Sequence, residues 1–107
     1  MAKRLPLVLL LAAPLLMGAL CGNVRQKTAE ELRLEAACVK YQEEGDLNRA
    51  ETACDLCLEY AKGRNAECLN ALGLVFLFRE NVEEARTKFK VAIRENPDFA
   101  EARNNMG

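Results

Sequence analysis

From Gly22 onward, apolar residues recur at spacings of three and four, with no β-branched runs and none of the alternation that a half-buried strand imposes. That periodicity admits only helices, and the breakers set their lengths. Thr28-x-x-Glu31 reads as a capping box that opens a first helix to about Glu44, where Gly45-Asp46 breaks it. Leu47 to Tyr60 forms a second, ended by Gly63-Arg64-Asn65, and Ala66 to Arg79 a third. Asn81-x-x-Glu84 reads as another capping box and opens a fourth, stopped at Asn96-Pro97-Asp98 because the residue before proline is pushed out of helical geometry. Ala100 begins a fifth. Pairs of helices of about 14 residues, joined by tight turns at near-constant spacing, are the pattern of an all-α helical solenoid, in which each hairpin buries its apolar face against the next.

The first twenty residues obey a different rule. Lys3 and Arg4 supply a positive start, Leu5 to Leu16 is almost wholly apolar, and Met17 to Leu20 leads up to Cys21 through Gly18 and Ala19. A bilayer span needs about 20 apolar residues, and Pro6 and Pro14 would disturb a helix there. Residues 1–20 therefore read as a cleaved signal peptide for export. Of 15 basic side chains, loss of Lys3 and Arg4 leaves 13 against 16 acidic ones, a net charge of -3, and no basic cluster points to nucleic acid.

An exported chain with five cysteines leaves one thiol unmatched unless one of them is modified. With Cys21 acylated, Cys38, Cys54, Cys57 and Cys68 remain, an even set in a compartment where disulfides persist. Cys54-x-x-Cys57 has other readings. A c-type haem site needs histidine next, and the chain has Leu58 there and no histidine at all. Zinc would want a second close pair of ligands, whereas Cys38 and Cys68 are isolated. A thioredoxin-like pair opens a helix after a strand, and these two cysteines lie inside a helical pattern. No Ser/His or Cys/His pair and no glycine-rich phosphate loop is present, so no catalytic residue, metal or cofactor is expected. A thiol oxidoreductase using Cys54 and Cys57 is the enzymatic alternative to a binding module.

The residues of the third and fourth helices carry a resemblance. Leu69-x2-Leu72-Gly73-x2-Phe76, followed by Ala85-x3-Phe89, Ala92 and Pro97, resembles the tetratricopeptide (TPR) motif nearly position for position, with Leu69 in place of its tryptophan. Residues 66–99 then make one complete unit of 34. Residues 31–65 form a degenerate unit in the same phase, with Leu34-x2-Ala37-Cys38-x2-Tyr41 followed by Ala50-x3-Cys54 and Cys57. Arg103-x2-Met106-Gly107 restarts the motif, so 100–107 reads as the start of a third repeat and the sequence as the N-terminal part of a longer array. The resemblance implies that Gly73 and Ala85 are small because two helices cross there with their backbones close.

The helix arrangement so implied puts Cys38 and Cys54 on facing helices of the first unit and Cys57 across a turn from Cys68. Disulfides Cys38–Cys54 and Cys57–Cys68 are expected on that basis, among three connectivities that four cysteines allow. It also implies that first helices line a concave face, with Glu35, Val39 and Gln42 from one unit and Asn70, Leu74, Leu77 and Phe78 from the next pointing inward, continued by Asn104. Leu74, Leu77 and Phe78 make an apolar stripe that either a neighbouring repeat covers or a protein partner binds.

Gly18-Ala19-Leu20-Cys21 is similar to the lipobox of bacterial lipoproteins, in which the cysteine is acylated and becomes the N-terminus; Leu20 stands where that pattern has a small residue. Residues 21–29 would then be a lipidated N-terminus and linker, and Gly22, in place of an aspartate, implies the outer membrane facing the periplasm. An ordinary signal-peptidase cut, giving a soluble periplasmic or secreted protein, is the alternative. A lipoprotein built of TPR units resembles the type IV pilus biogenesis and stability lipoproteins, the pilotins that help a secretin ring assemble. That resemblance implies an adaptor bound to a secretin or another envelope protein; another periplasmic scaffold lipoprotein is the alternative.

Overall fold

The computed structural model describes residues 25–107; the signal peptide at 1–20 and the lipidation expected at Cys21 lie outside the described residues. The described chain is all-α, with α1 at Ala29–Glu43, α2 at Leu47–Tyr60, α3 at Ala66–Phe78, α4 at Val82–Glu95 and α5 at Ala100–Met106. None of these helices is long and apolar enough to cross a membrane.

The first four starts are set by short polar side chains that take up N–H groups with no partner inside the helix. Thr28, Asp46, Asn65 and Asn81 accept from the backbone N–H of Glu31, Arg49, Cys68 and Glu84 respectively. The capping boxes expected at Thr28 and Asn81 are only half made. Glu31 does not reach back to Thr28; its carboxylate is buried, at 2% exposure, and held by Arg25 and Asn65 instead. Glu84 is exposed and forms no side-chain bond to Asn81.

Both hairpins turn in the same way. At the end of α1, Gly45 N–H bonds Gln42 O at 3.1 Å and Asp46 N–H bonds Tyr41 O at 3.0 Å; at the end of α3, Glu80 N–H bonds Leu77 O at 3.0 Å and Asn81 N–H bonds Phe76 O at 2.8 Å. Such a turn needs a residue in the left-handed region after the helix, filled by Gly45 at φ 77° and by Glu80 at φ 63°.

Helix α1 packs on α2 and α3 on α4, and the second hairpin lies along the first through α2–α3 and α1–α3 contacts. Helix α5 rests on α4 and touches α3. The core between the hairpins gathers Cys38, Cys54, Cys57 and Cys68 with Ala53, Ala71 and Leu72, flanked by Leu34, Tyr41 and Phe76. Within the second hairpin the contact is closer: a Cβ on Gly73 would sit 2.5 to 2.9 Å from ring carbons of Phe89, a buried side chain with nowhere to retreat. A second cluster of Leu69, Ala92 and Ala102 seats α5, with Val91, Ile93 and Phe99 around it.

Candidate partner-binding face

Helix α3 presents Leu77 and Phe78, at its C-terminal end, to the outside. Leu74 is half-buried, Leu77 is 41% exposed and Phe78 66% exposed. The Phe78 ring stands beside the α1–α2 turn, and together with Gln42, Glu43, Gly45 and Leu47 it lines a groove of about 270 Å³. Leu77 lines a smaller hollow of about 150 Å³ with Val82, Phe89 and Met106. Of the residues expected on the inward face, the structure thus brings Gln42 and Phe78 to one groove and sets Leu77 beside another.

The remaining expected residues have other work. Val39 packs against the inter-hairpin core and is only partly exposed. Asn70 is withdrawn from the surface: it is buried, and its Oδ1 accepts from Asn105 Nδ2 at 2.9 Å, tying α3 to α5. Asn104, on α5, is exposed. Glu35 belongs to a polar network at the opposite end of α1 and α3. There Asn65 Nδ2 donates to Glu31 Oε2 and to Glu35 Oε1, both at 2.9 Å, while Lys27 Nζ donates to Glu35 at 2.6 Å and to Glu67 at 2.9 Å. Arg25 Nη1 donates to Glu31 Oε1 at 2.7 Å and its second amino group completes a fork onto the other oxygen.

The fork from Arg25 holds the Glu31 carboxyl below its ordinary range; burial opposes this, and the bond from Asn65 reinforces it. Burial works against the charge on Lys27, but Glu35 and Glu67 outweigh it and raise the ammonium above its usual value. This network closes the N-terminal segment over α1 and α3, and the cavity of about 410 Å³ beside it is lined by charges that already face one another. Sequence reasoning missed it. The available signal was Asn65 directly before Ala66, an N-cap position read only as the end of the preceding helix.

No protein-family model, curated protein or solved structure matches the chain. The four described cysteines form two disulfides, Cys38–Cys54 between α1 and α2 and Cys57–Cys68 between α2 and α3, with Cα separations of 4.6 and 6.6 Å. Cys54 and Cys57 have different partners and are 0% exposed, so an external thiolate has no line of attack on either sulfur. A further apolar surface, not singled out from the sequence, lies on the first hairpin, where Leu32, Leu56 and Tyr60 are about half exposed. Lys40 and Arg49 each stand 5.9 Å from the centre of the Tyr41 ring.

Proposed function

We propose that this chain is an exported adaptor of the tetratricopeptide-repeat kind, tethered to the outer membrane through Cys21, that binds another envelope protein through the α3 face around Leu74, Leu77 and Phe78. The observation that carries it is the exposure of Phe78: a large aromatic side chain, two-thirds in water, beside a groove it lines with Gln42, Glu43, Gly45 and Leu47, and uncovered among the described residues. Two hairpins closed by the same turn support the repeat reading, and the Gly73–Phe89 crossing supports the motif that suggested it. Disulfides in the core support a life outside the reducing cytosol. The lipobox-like Gly18-Ala19-Leu20-Cys21 is the ground for the tether, and the pilotin resemblance makes a secretin the first partner to try.

A photo-crosslinking residue placed at Phe78 in the living envelope tests the binding claim. The expected product is a discrete adduct with a secretin or another envelope protein, absent when the same residue replaces exposed Lys62. Equal labelling from both positions, or none from Phe78, would remove the face from the proposal. Intact mass of the membrane-extracted protein tests the tether separately: loss of residues 1–20 and an acyl-sized addition on Cys21 are expected, and an unmodified Cys21 points to the soluble periplasmic form.

A further inference from the structure

Arg25 and Lys27 fasten the chain to one end of the molecule. The Arg25 guanidinium donates to the carbonyl oxygen of Arg64 at 3.2 Å, in the turn between α2 and α3, while its fork onto Glu31 and the Lys27 bonds to Glu35 and Glu67 hold the same segment to α1 and α3. Cys21 lies four residues before Arg25, and four residues of chain span at most about 14 Å. A lipid anchor on Cys21 therefore keeps the α2–α3 turn within that reach of the membrane. Phe78 closes the 13-residue helix α3 at its far end, about 20 Å away at a rise of about 1.5 Å per residue, so the tether brings the turn to the lipid first.

The anchored end has a surface suited to lipid. Tyr60 and Leu56 stand one turn apart on α2, 47% and 49% exposed, and Leu32, equally exposed, is one turn into α1. None of the three belongs to either core cluster. The Tyr60 hydroxyl accepts from Thr28 Oγ1 at 3.1 Å, which leaves the ring outside and its polar tip held at the start of α1. Lys62, in the turn, is exposed and takes part in no ion pair among the described residues. Arg64, two residues on, is exposed as well and pairs with Glu95 at 3.3 Å. Asp55 and Glu59, the exposed acids of this half of α2, fall to the side of Leu56 away from Tyr60. A tyrosine with a satisfied hydroxyl and a lysine on a flexible apolar stem are groups that settle where hydrocarbon meets headgroups, and cations in the turn suit phosphate.

We propose that this end, with Leu32, Leu56, Tyr60 and Lys62, rests on the phospholipid surface that receives the acyl chains of Cys21, and that the Phe78 groove stands off from it. This rests on the tether of the adaptor reading and adds which face the lipid covers.

The test uses the acylated chain in vesicles of phosphatidylethanolamine and phosphatidylglycerol, with an aromatic photo-crosslinking residue in place of Tyr60 in one preparation and of Phe78 in another. Intact mass first reads Cys21: an unmodified cysteine overturns the tether and this inference with it. With Cys21 acylated, lipid adducts from the Tyr60 site exceed those from the Phe78 site by about tenfold or more. Equal labelling leaves the tether standing and overturns the orientation. A second chain carries about ten Gly and Ser residues inserted after Asn23, long enough to release the body from the membrane. Labelling at the Tyr60 site persists there within about twofold, because the surface itself holds lipid, and Leu56→Glu in that chain lowers it about threefold or more. A fall to the level of the Phe78 site on insertion alone, or labelling indifferent to Leu56→Glu, overturns the inference.

Discussion

The two hairpins share one turn and reach closure by different means. In the second, α3 meets α4 through Gly73 against the face of Phe89, with Leu69, Val75 and Ala92 buried alongside. In the first, the equivalent contact between α1 and α2 is a covalent bond, Cys38 to Cys54, with Ala50 and Ala53 around it and no large side chain fully buried among its apolar residues. Close packing of an aromatic ring does in one hairpin what sulfur does in the other. A repeat whose core is too small to hold itself can persist if its compartment is oxidising, and the second staple, Cys57 to Cys68, ties that weaker hairpin to the stronger one.

Reduction breaks the comparison most severely. The loops closed span 16 and 11 residues of sequence separation, and each is worth about 3 kcal/mol in the chain-entropy picture. Loss of both removes an amount comparable to the whole stability of a small domain; the expected result is a large fall in the urea midpoint on adding reductant. Replacing only Cys57 and Cys68 with alanine should cost about half as much. Next in size is the opposite hairpin: Phe89→Ala empties its crossing and should cost about 3–5 kcal/mol by chemical denaturation, with or without reductant.

A smaller effect sharpens the joint between the hairpins. Glu31→Gln leaves Arg25 and Asn65 with a neutral acceptor at a buried site, an expected cost of about 1–3 kcal/mol. Because Glu31 titrates below its ordinary value of 4.5 in the fold, its contribution is complete above pH 4.5 and is lost as pH falls through the lowered value. The wild type should therefore lose stability on acidification below that point, and Glu31→Gln should flatten this part of the profile. Least of all, and opposite in sign, Glu80→Gly relieves the left-handed residue and should raise stability by up to about 1 kcal/mol, read as a small upward shift of the melting temperature.

How much was legible follows from how local each determinant is. Helix limits were readable because caps and breakers act within four residues: Thr28 before α1, Asn81 before α4 and Pro97 after it all lie where the pattern put them. The buried role of Glu31 was not, since its partners come from Arg25 before the helix and Asn65 a full hairpin later, and periodicity reads a glutamate in a first turn as a solvated cap. Asn70 was placed on the open face by repeat phase alone; its bond to Asn105 depends on how α5 docks, which no spacing records. Phe78 and Leu77 could be seen as apolar residues outside the core positions, but the groove of Phe78 needs the α1–α2 turn and the hollow of Leu77 needs α5, contacts between distant segments.

Amide hydrogen exchange on the full chain, with and without reductant, tests most directly the claim that one hairpin is held by sulfur and the other by packing. Opening free energies of amides in α1 and α2 should fall much further on reduction than those in α4, and the Phe89→Ala variant should reverse that order. An equal loss across all helices, or protection in α1 and α2 that survives reduction, would contradict it.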